Sequence, residues 1–378
     1  MSPNTKEWSF SSYLVFPGNS TKELDPMITH PLTFAQRAPR ARQKGMLAVY
    51  LLALCTLGLS ANAQNPTFIT FDPPGSIGTG PTSINSAGVI TGNYSDGSRT
   101  RGFVRSSDGT FTTFDVPGAI LTNPLSINPA GVITGTYLDA SSVSHGFLRA
   151  RDGTIKTLYG PGLADTYPVA INQAGMITGY YYDASGQHCF VRARDGTFTT
   201  SDVPGGLYTI PLSINPSGVI TGFYSDASGV GHGFLRSRLG TFKTFDVPGA
   251  ITTTPLPAGT YYTTPVGINP AGEITGYYSD SGGNNSTHGF VRARGDAFTV
   301  IDPPGSAGFT KALGINPART IMGIYFDDSG TQHAFVRSRT GAFTTFDPPG
   351  SYTFPTSINP AGAIAGSSDG HGFLRTPD

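Results

Sequence analysis

Three short segments recur along this chain, seven times each, and that recurrence restricts the fold more than any other feature. A segment of the type Phe-Thr-Thr-Phe-Asp-Val-Pro-Gly starts at Phe68, Phe111, Ile155, Phe198, Phe242, Phe298 and Phe343. A Ser-Ile-Asn type ends at Asn85, Asn128, Asn172, Asn215, Asn269, Asn316 and Asn359. A Gly-Phe-Leu-Arg type ends at Arg105, Arg149, Arg192, Arg236, Arg292, Arg337 and Arg375. Most intervals are 43 to 45 residues, with one longer gap around 250–266. Within the second unit the pattern predicts strands over 125–128, 132–139, 145–149 and 154–158. They are separated by Asn128-Pro129-Ala130-Gly131 and Arg151-Asp152-Gly153 turns. Pro117-Gly118 and its equivalents suit a type II turn at the end of each unit.

Four antiparallel strands in such a length make the blade of a β-propeller, whereas a β-solenoid coil needs about half as many residues. The phase sharpens the expectation. The chain enters on a fourth strand, at 68–72, and leaves on a third, at 372–375. The expected fold is therefore all-β: a seven-bladed β-propeller of four-stranded antiparallel blades, its ring closed by the N-terminal strand pairing with the last blade. Closure would remove two open edges that invite aggregation.

Composition agrees. Gly (50) and Pro (30) are abundant, as turn-rich β structure requires, while 24 Phe and 17 Tyr supply a core that a disordered chain would lack. Lys+Arg and Asp+Glu both number 24, so the balanced charge gives no hold on nucleic acid or on an anionic membrane. The only long apolar run, at 46–59, follows Arg37, Arg40, Arg42 and Lys44 and precedes Ala61-Asn62-Ala63. That order is a secretory signal, too short to span a bilayer. The expected organisation is a disordered or over-annotated extension at 1–45, a signal peptide at 46–63 and a propeller over 64–378. The protein would be secreted or periplasmic, with no membrane association beyond the export signal, and monomeric. Cys189 is the one cysteine of the repeats, so no disulfide within them and no cysteine metal site is expected.

The third segment is preceded by histidine at His145, His188, His232, His288, His333 and His371, with Arg101 in its place in the first unit. His-Gly-Phe or His-Ala-Phe followed by Leu/Val-Arg resembles the HAF repeat of bacterial extracellular repeat proteins, over residues 68–378. The resemblance implies an exported, propeller-like protein and carries no reaction. Equivalent histidines on neighbouring blades are too far apart to share an ion, so they are read as hydrogen-bonded within their own blades. No metal and no cofactor is expected. The aspartates before each Pro-Gly (Asp72, Asp115, Asp202, Asp246, Asp302, Asp347) are read as Asx-turns, and a second series (Asp96, Asp139, Asp183, Asp226, Asp280, Asp327) as turn chemistry too. Paired arginines such as Arg149 and Arg151 are read as a solvated edge, salt-bridged to Asp152 and Asp195.

A symmetric scaffold cannot itself select an asymmetric ligand, so function is sought where repeats differ. The loops between units differ most, and they carry Tyr167, Tyr208, Tyr261, Tyr262, Phe309 and Tyr352. Aromatics on one face can stack on sugars or anchor a protein. The reading is an exported propeller-type binding or scaffold protein that recognises carbohydrate or a surface protein through these loops. One alternative is an extracellular lyase or hydrolase at the mouth of a central channel; another is a purely structural envelope protein. No catalytic residue is assigned: Glu273 is the only glutamate of the repeats, and no nucleophile elbow or phosphate loop is present.

Overall fold

The structure is a computed structural model that describes residues 66–161, 165–253, 262–280, 286–348, 350 and 352–377. The expected extension and signal, together with Tyr261, lie outside the described residues. Among the described residues the regular elements are all strands. After β1 (Phe68–Phe71), the first unit supplies β2 (Gly78–Ile84), β3 (Ile90–Ser95), β4 (Thr100–Arg105) and β5 (Phe111–Phe114). The second supplies β6 (Leu121–Ile127), β7 (Ile133–Leu138), β8 (Ser144–Arg149) and β9 (Ile155–Leu158). Four further quartets, β10 to β25, follow over 166–200, 208–245, 264–301 and 310–346. The last unit contributes β26 (Thr353–Ile358), β27 (Ile364–Ser368) and β28 (His371–Arg375).

Each quartet is an antiparallel meander. Five sheets have four strands; one has eight, because a single parallel bridge, Thr100 to Leu121, joins the first two units. In the last sheet β1 takes the fourth place, pairing antiparallel with β28 from Phe68–Arg375 to Phe71–Gly372. Thr376 N donates to Thr67 O (3.0 Å) just beyond this pairing.

The first strand of the second unit begins earlier than the pattern predicts, while its other three strands start within one residue of the expected positions. β6 starts at Leu121, four residues before the expected start, because Pro124 lies inside the strand rather than before it. The register slips between Pro124 and Ser126, and the same slip recurs in the first strand of every unit. A bulge tolerates the missing proline N–H. It also frees a hydroxyl: Ser83 Oγ accepts from Ile127 N (3.3 Å) of the next unit, and Ser126 Oγ from Ile171 N (3.3 Å). Opposite the bulge stands the glycine of Ile-Thr-Gly. A Cβ on Gly135 would sit 2.2 Å from Asn123 O and 2.9 Å from the Phe147 ring, so no other residue fits. The expected turn at Pro117-Gly118 forms, with Gly118 at φ 80° and Ala119 N bonded to Val116 O (3.0 Å).

Apolar side chains fill the seams between consecutive units. Ile127, Ile133, Tyr137 and Phe147 of the second unit pack against Val89 and Val104 of the first, and Ala365 of the last unit joins Ile84, Ile90 and Phe103 of the first. The repeat asparagines cross these seams. Asn85 Nδ2 donates to Asn128 O (3.1 Å), Asn128 to Asn172 O (3.3 Å), Asn172 to Asn215 O (3.1 Å) and Asn215 to Asn269 O (3.3 Å). Asn316 donates to Asn359 O (3.3 Å) and Asn359 to Asn85 O (3.3 Å). Asn269 departs from the series. Its Nδ2 goes to Glu273 Oε2 (2.8 Å), and Glu273 is held by Arg319 of the next unit, Nε to Oε2 at 2.7 Å and an ion pair at 2.5 Å.

Candidate functional site

The second-to-third strand turns and the loops between units lie at the same end of each sheet. That end carries the repeat histidines, each hydrogen-bonded to at least one aspartate of its own sheet. His188 Nδ1 lies 2.7 Å from Asp202 and its Nε2 3.2 Å from Asp183; His333 repeats this with Asp347 (2.7 Å) and Asp327 (3.2 Å). His232 lies between Asp246 (2.8 Å) and Asp226 (3.4 Å), and His288 is 2.8 Å from Asp302. His371 reaches Asp72 at 2.7 Å, across the β1–β28 pairing. In the first unit Arg101 does the same work between Asp96 (2.6 Å) and Asp115 (3.1 Å). The hydrogen bonds that His188, His288 and His333 make to Asp202, Asp302 and Asp347 raise these three above the ordinary imidazole range. In return, Asp226 is lowered to about 2, led by its bond from Ser228. Tyrosine rings lie against these side chains, as Tyr325 does on His333 at 5.2 Å.

One expectation is corrected here. Asp202 and Asp347 do not close Asx-turns in their own loops; their Oδ1 atoms accept Cys189 N (2.7 Å) and Ala334 N (3.2 Å) on the neighbouring strand. The second aspartate series does form turns: Asp139 Oδ1 accepts Ser141 N (2.8 Å) and Val143 N (3.0 Å) while its Oδ2 takes His145. One unit breaks the frame. Tyr159 stands where an aspartate belongs, and the buried Nδ1 of His145 has no hydrogen-bond partner.

Cys189 occupies the glycine position of the His-Gly-Phe element and is fully buried. The glycines Gly102 and Gly233 leave room for Phe114 and Phe245, each within 2.7 Å of a hypothetical Cβ. In the third unit the facing strand offers Ser201 instead of an aromatic ring, so the larger cysteine fits. Burial raises its thiol to about 12, which removes it as a nucleophile.

Four of the six loop aromatics share one repeat position, three residues before the bulge. Tyr208, Tyr262, Phe309 and Tyr352 stand there in the fourth to seventh units, where the first three have Gly78, Leu121 and Asp165. Tyr208 is 38% exposed and Tyr352 61%. Tyr262 is half-buried over Gly231, its hydroxyl donating to Thr253 O (3.2 Å); burial raises its phenol, with Tyr208 and Asp226 adding to the shift. Phe309 is half-buried, edge-on to Phe326 at 5.0 Å. Tyr167 belongs elsewhere: it lies within β10 (Thr166–Ile171), stacked on Tyr180 at 4.8 Å. Tyr352 borders a cleft of about 490 Å³ between the last two units, with His333, Asp347, Thr331 and Gln332 on its walls.

A second asymmetry comes from the register alone. The residue before the bulge proline faces the residue after Ile-Thr-Gly, as in Gly80–Asn93, Asn123–Thr136, Tyr167–Tyr180, Ile210–Phe223 and Thr264–Tyr277. These are the positions the repeats do not conserve among themselves, and they meet across seams. Asn93 Nδ2 donates to Asn123 Oδ1 (2.7 Å), and Lys311 Nζ lies 4.5 Å from the Tyr277 ring centre.

No protein-family model and no curated protein matches the chain. Among solved structures it is similar to a streptogramin B lyase, with TM-score 0.54 and 12% identity over 83% of this chain and 98% of that one. It is also similar to a catalytically inactive virginiamycin B lyase from Staphylococcus aureus with quinupristin, at TM-score 0.53, 13% identity, 83% and 100% coverage. A third is YCF48 bound to D1 peptide, at TM-score 0.51, 13% identity, 82% and 97% coverage. The fold is a β-propeller of repeated blades. At such identities the likeness carries the architecture alone.

Proposed function

We propose that the chain is a seven-bladed propeller, exported and monomeric, that binds carbohydrate on the face bearing the loops between blades. Closure is supported by the β1–β28 pairing and by Asn359 bonding Asn85. Export rests on the pattern at 46–63, and a secreted product beginning at Gln64 would be its signature.

The observation that carries the binding reading is the aromatic run Tyr208, Tyr262, Phe309 and Tyr352 on four successive blades, ending in the cleft beside Tyr352. A sugar presents an apolar face to an aromatic ring and hydroxyls to polar groups around it. Here Tyr352 offers the ring, and His333, Asp347, Thr331 and Gln332 offer the polar wall. The histidine–aspartate frame holds that wall rigid, which lowers the ordering cost of binding.

A glycan array probed with the mature protein at low and moderate salt tests this. Selective, salt-insensitive binding weakened about tenfold by Tyr352→Ala, and unaffected by Tyr159→Ala on the other side of the face, supports it. Binding that survives Tyr352→Ala and Tyr208→Ala overturns it.

Protein recognition is the second reading, favoured by one specific observation. Ile77, Ile120 and Leu207 occupy one repeat position and are 74%, 46% and 59% exposed. Apolar side chains repeated on one face suit a protein surface better than a sugar. Silence on the array, with capture of a protein lost on Leu207→Ser, would favour this reading.

A further inference from the structure

The opposite end of each sheet carries the repeat arginines, and around Arg149 and Arg151 the expected salt-bridged edge is not formed, whereas Arg292 of the fifth unit pairs with Asp296. Among the described residues neither Arg149 nor Arg151 makes an ion pair. Asp152, on the same turn, spends its Oδ1 on Thr154 N (2.9 Å). The Arg149 guanidinium is instead buried, 8% exposed, with Cζ 4.7 Å from the centre of the Phe114 ring. Its Nη1 reaches Ala150 O (3.4 Å), and its Nε is buried without a hydrogen-bond partner.

The arginine recurs in every blade, so the arginine alone marks nothing. The seam in front of it differs. Between the third and fourth blades, Met176 fills the space beside Gly218. Between the fourth and fifth, Lys243 crosses to Asp296, and between the fifth and sixth Glu273 meets Arg319. The seam between the first two blades has Val89 where the third blade has Met176 and Thr112 where the fourth has Lys243. These shorter residues leave a cavity of about 280 Å³. Arg149 and Arg151 form one wall, Ser106 and Thr112 another, and Val89 and Ile127 contribute apolar surface. Neither the Ser106 nor the Thr112 hydroxyl takes a hydrogen bond among the described residues, and no carboxylate lines the cavity.

We propose that this cleft between the first and second blades is a binding site for an oxyanion group of a small ligand, held between Arg149 and Arg151 with Ser106 and Thr112 donating hydroxyls. Two guanidinium groups beside two hydroxyls without a partner offer donors and no anionic acceptor, and an oxyanion supplies acceptors for all four. The cavity is about the size of the smaller small-molecule sites, large enough for a monosaccharide acid or a phosphate ester. The site lies at the other end of the sheets from the aromatic run and does not depend on it.

Thermal unfolding and calorimetric titration of the mature protein with inorganic phosphate, sodium glucuronate and glucose test the proposal. Saturable stabilisation by phosphate or glucuronate, and none by glucose, is expected. Phosphate alone would identify a phosphate or sulfate ester as the source of the oxyanion, and glucuronate alone a carboxylate. Arg151→Gln, at an exposed position, should weaken binding at least about tenfold. Arg194→Gln, the equivalent exposed arginine of the third blade, should leave it unchanged. Val89→Met, the residue of the third blade, should close the cleft and abolish binding without lowering stability. Three results would overturn the site: no saturation by either anion, equal losses in Arg151→Gln and Arg194→Gln, or binding that survives Val89→Met in a folded protein.

Discussion

Arg319 holds a backbone φ of 66° at a turn position where the other six repeats have glycine. A left-handed conformation costs a side chain about 1–2 kcal/mol, so its retention needs a compensating contact. Glu273, 46 residues earlier and buried, is that contact. Arg319→Gly should relieve the backbone yet lower stability by about 2 kcal/mol, because it strands a buried carboxylate. Restoring both repeat residues, Glu273→Val with Arg319→Gly, should return stability to within about 0.5 kcal/mol of the parent by letting Asn269 rejoin the asparagine series. Urea unfolding of the four proteins reads this, and additive losses would disprove the coupling. The pair was legible in principle: aligned repeats show valine replaced by glutamate in one unit and glycine by arginine in the next. Read singly, Glu273 is merely a lone acid.

Strands and turns follow from the repeat pattern because each has a local cause, but their limits and partners depend on packing. The prolines before the bulges look like turn residues in sequence, yet lie inside strands because a register slip accommodates them. Likewise the meeting of Asn93 with Asn123 is set by how one sheet lies on the next, which no local pattern encodes. Two glycines of the second unit separate these levels. Gly135→Ala places a methyl against Asn123 O and should cost on the order of 3 kcal/mol; Gly118→Ala, in an open turn with nothing nearby, should cost about 1 kcal/mol. Denaturation midpoints would check the ranking, and equal losses would argue against the close approach.

The histidine frame predicts a pH effect within one blade. His333 has its pKa raised in the folded state, so the stabilisation it brings is complete below the unfolded value of about 6.5 and fades as pH rises through the folded value. The melting temperature lost on Asp347→Asn should therefore be larger at pH 5.5 than at pH 9. Comparing the two proteins at each pH cancels Lys311, whose amine burial lowers to about 7 and whose linkage runs the other way. A difference that is constant with pH would remove the charged imidazole from the account.

At the scale of the molecule, seven copies of one pattern made the architecture legible, whereas the candidate sites were legible only in part. The aromatic run showed itself as loop residues, but not that four of the six share one position. The arginine cleft could not be seen, since it is a space left by short side chains at Val89 and Thr112. The ring reading turns on β1. A chain beginning at residue 78 should expose the edge of β28, melt several degrees lower and aggregate at concentrations the full mature chain tolerates. An unchanged melt would mean that the last sheet stands without it.

That same pairing leaves Thr67 and Thr376 bonded side by side, Thr67 N to Thr376 Oγ1 at 3.0 Å. A short glycine linker could therefore splice residue 377 to residue 66 without moving a strand, and new ends could be cut at any loop between blades. The order in which the blades are threaded would then be a matter of bookkeeping, and a cargo fused at a chosen seam would project from whichever blade the experimenter selects.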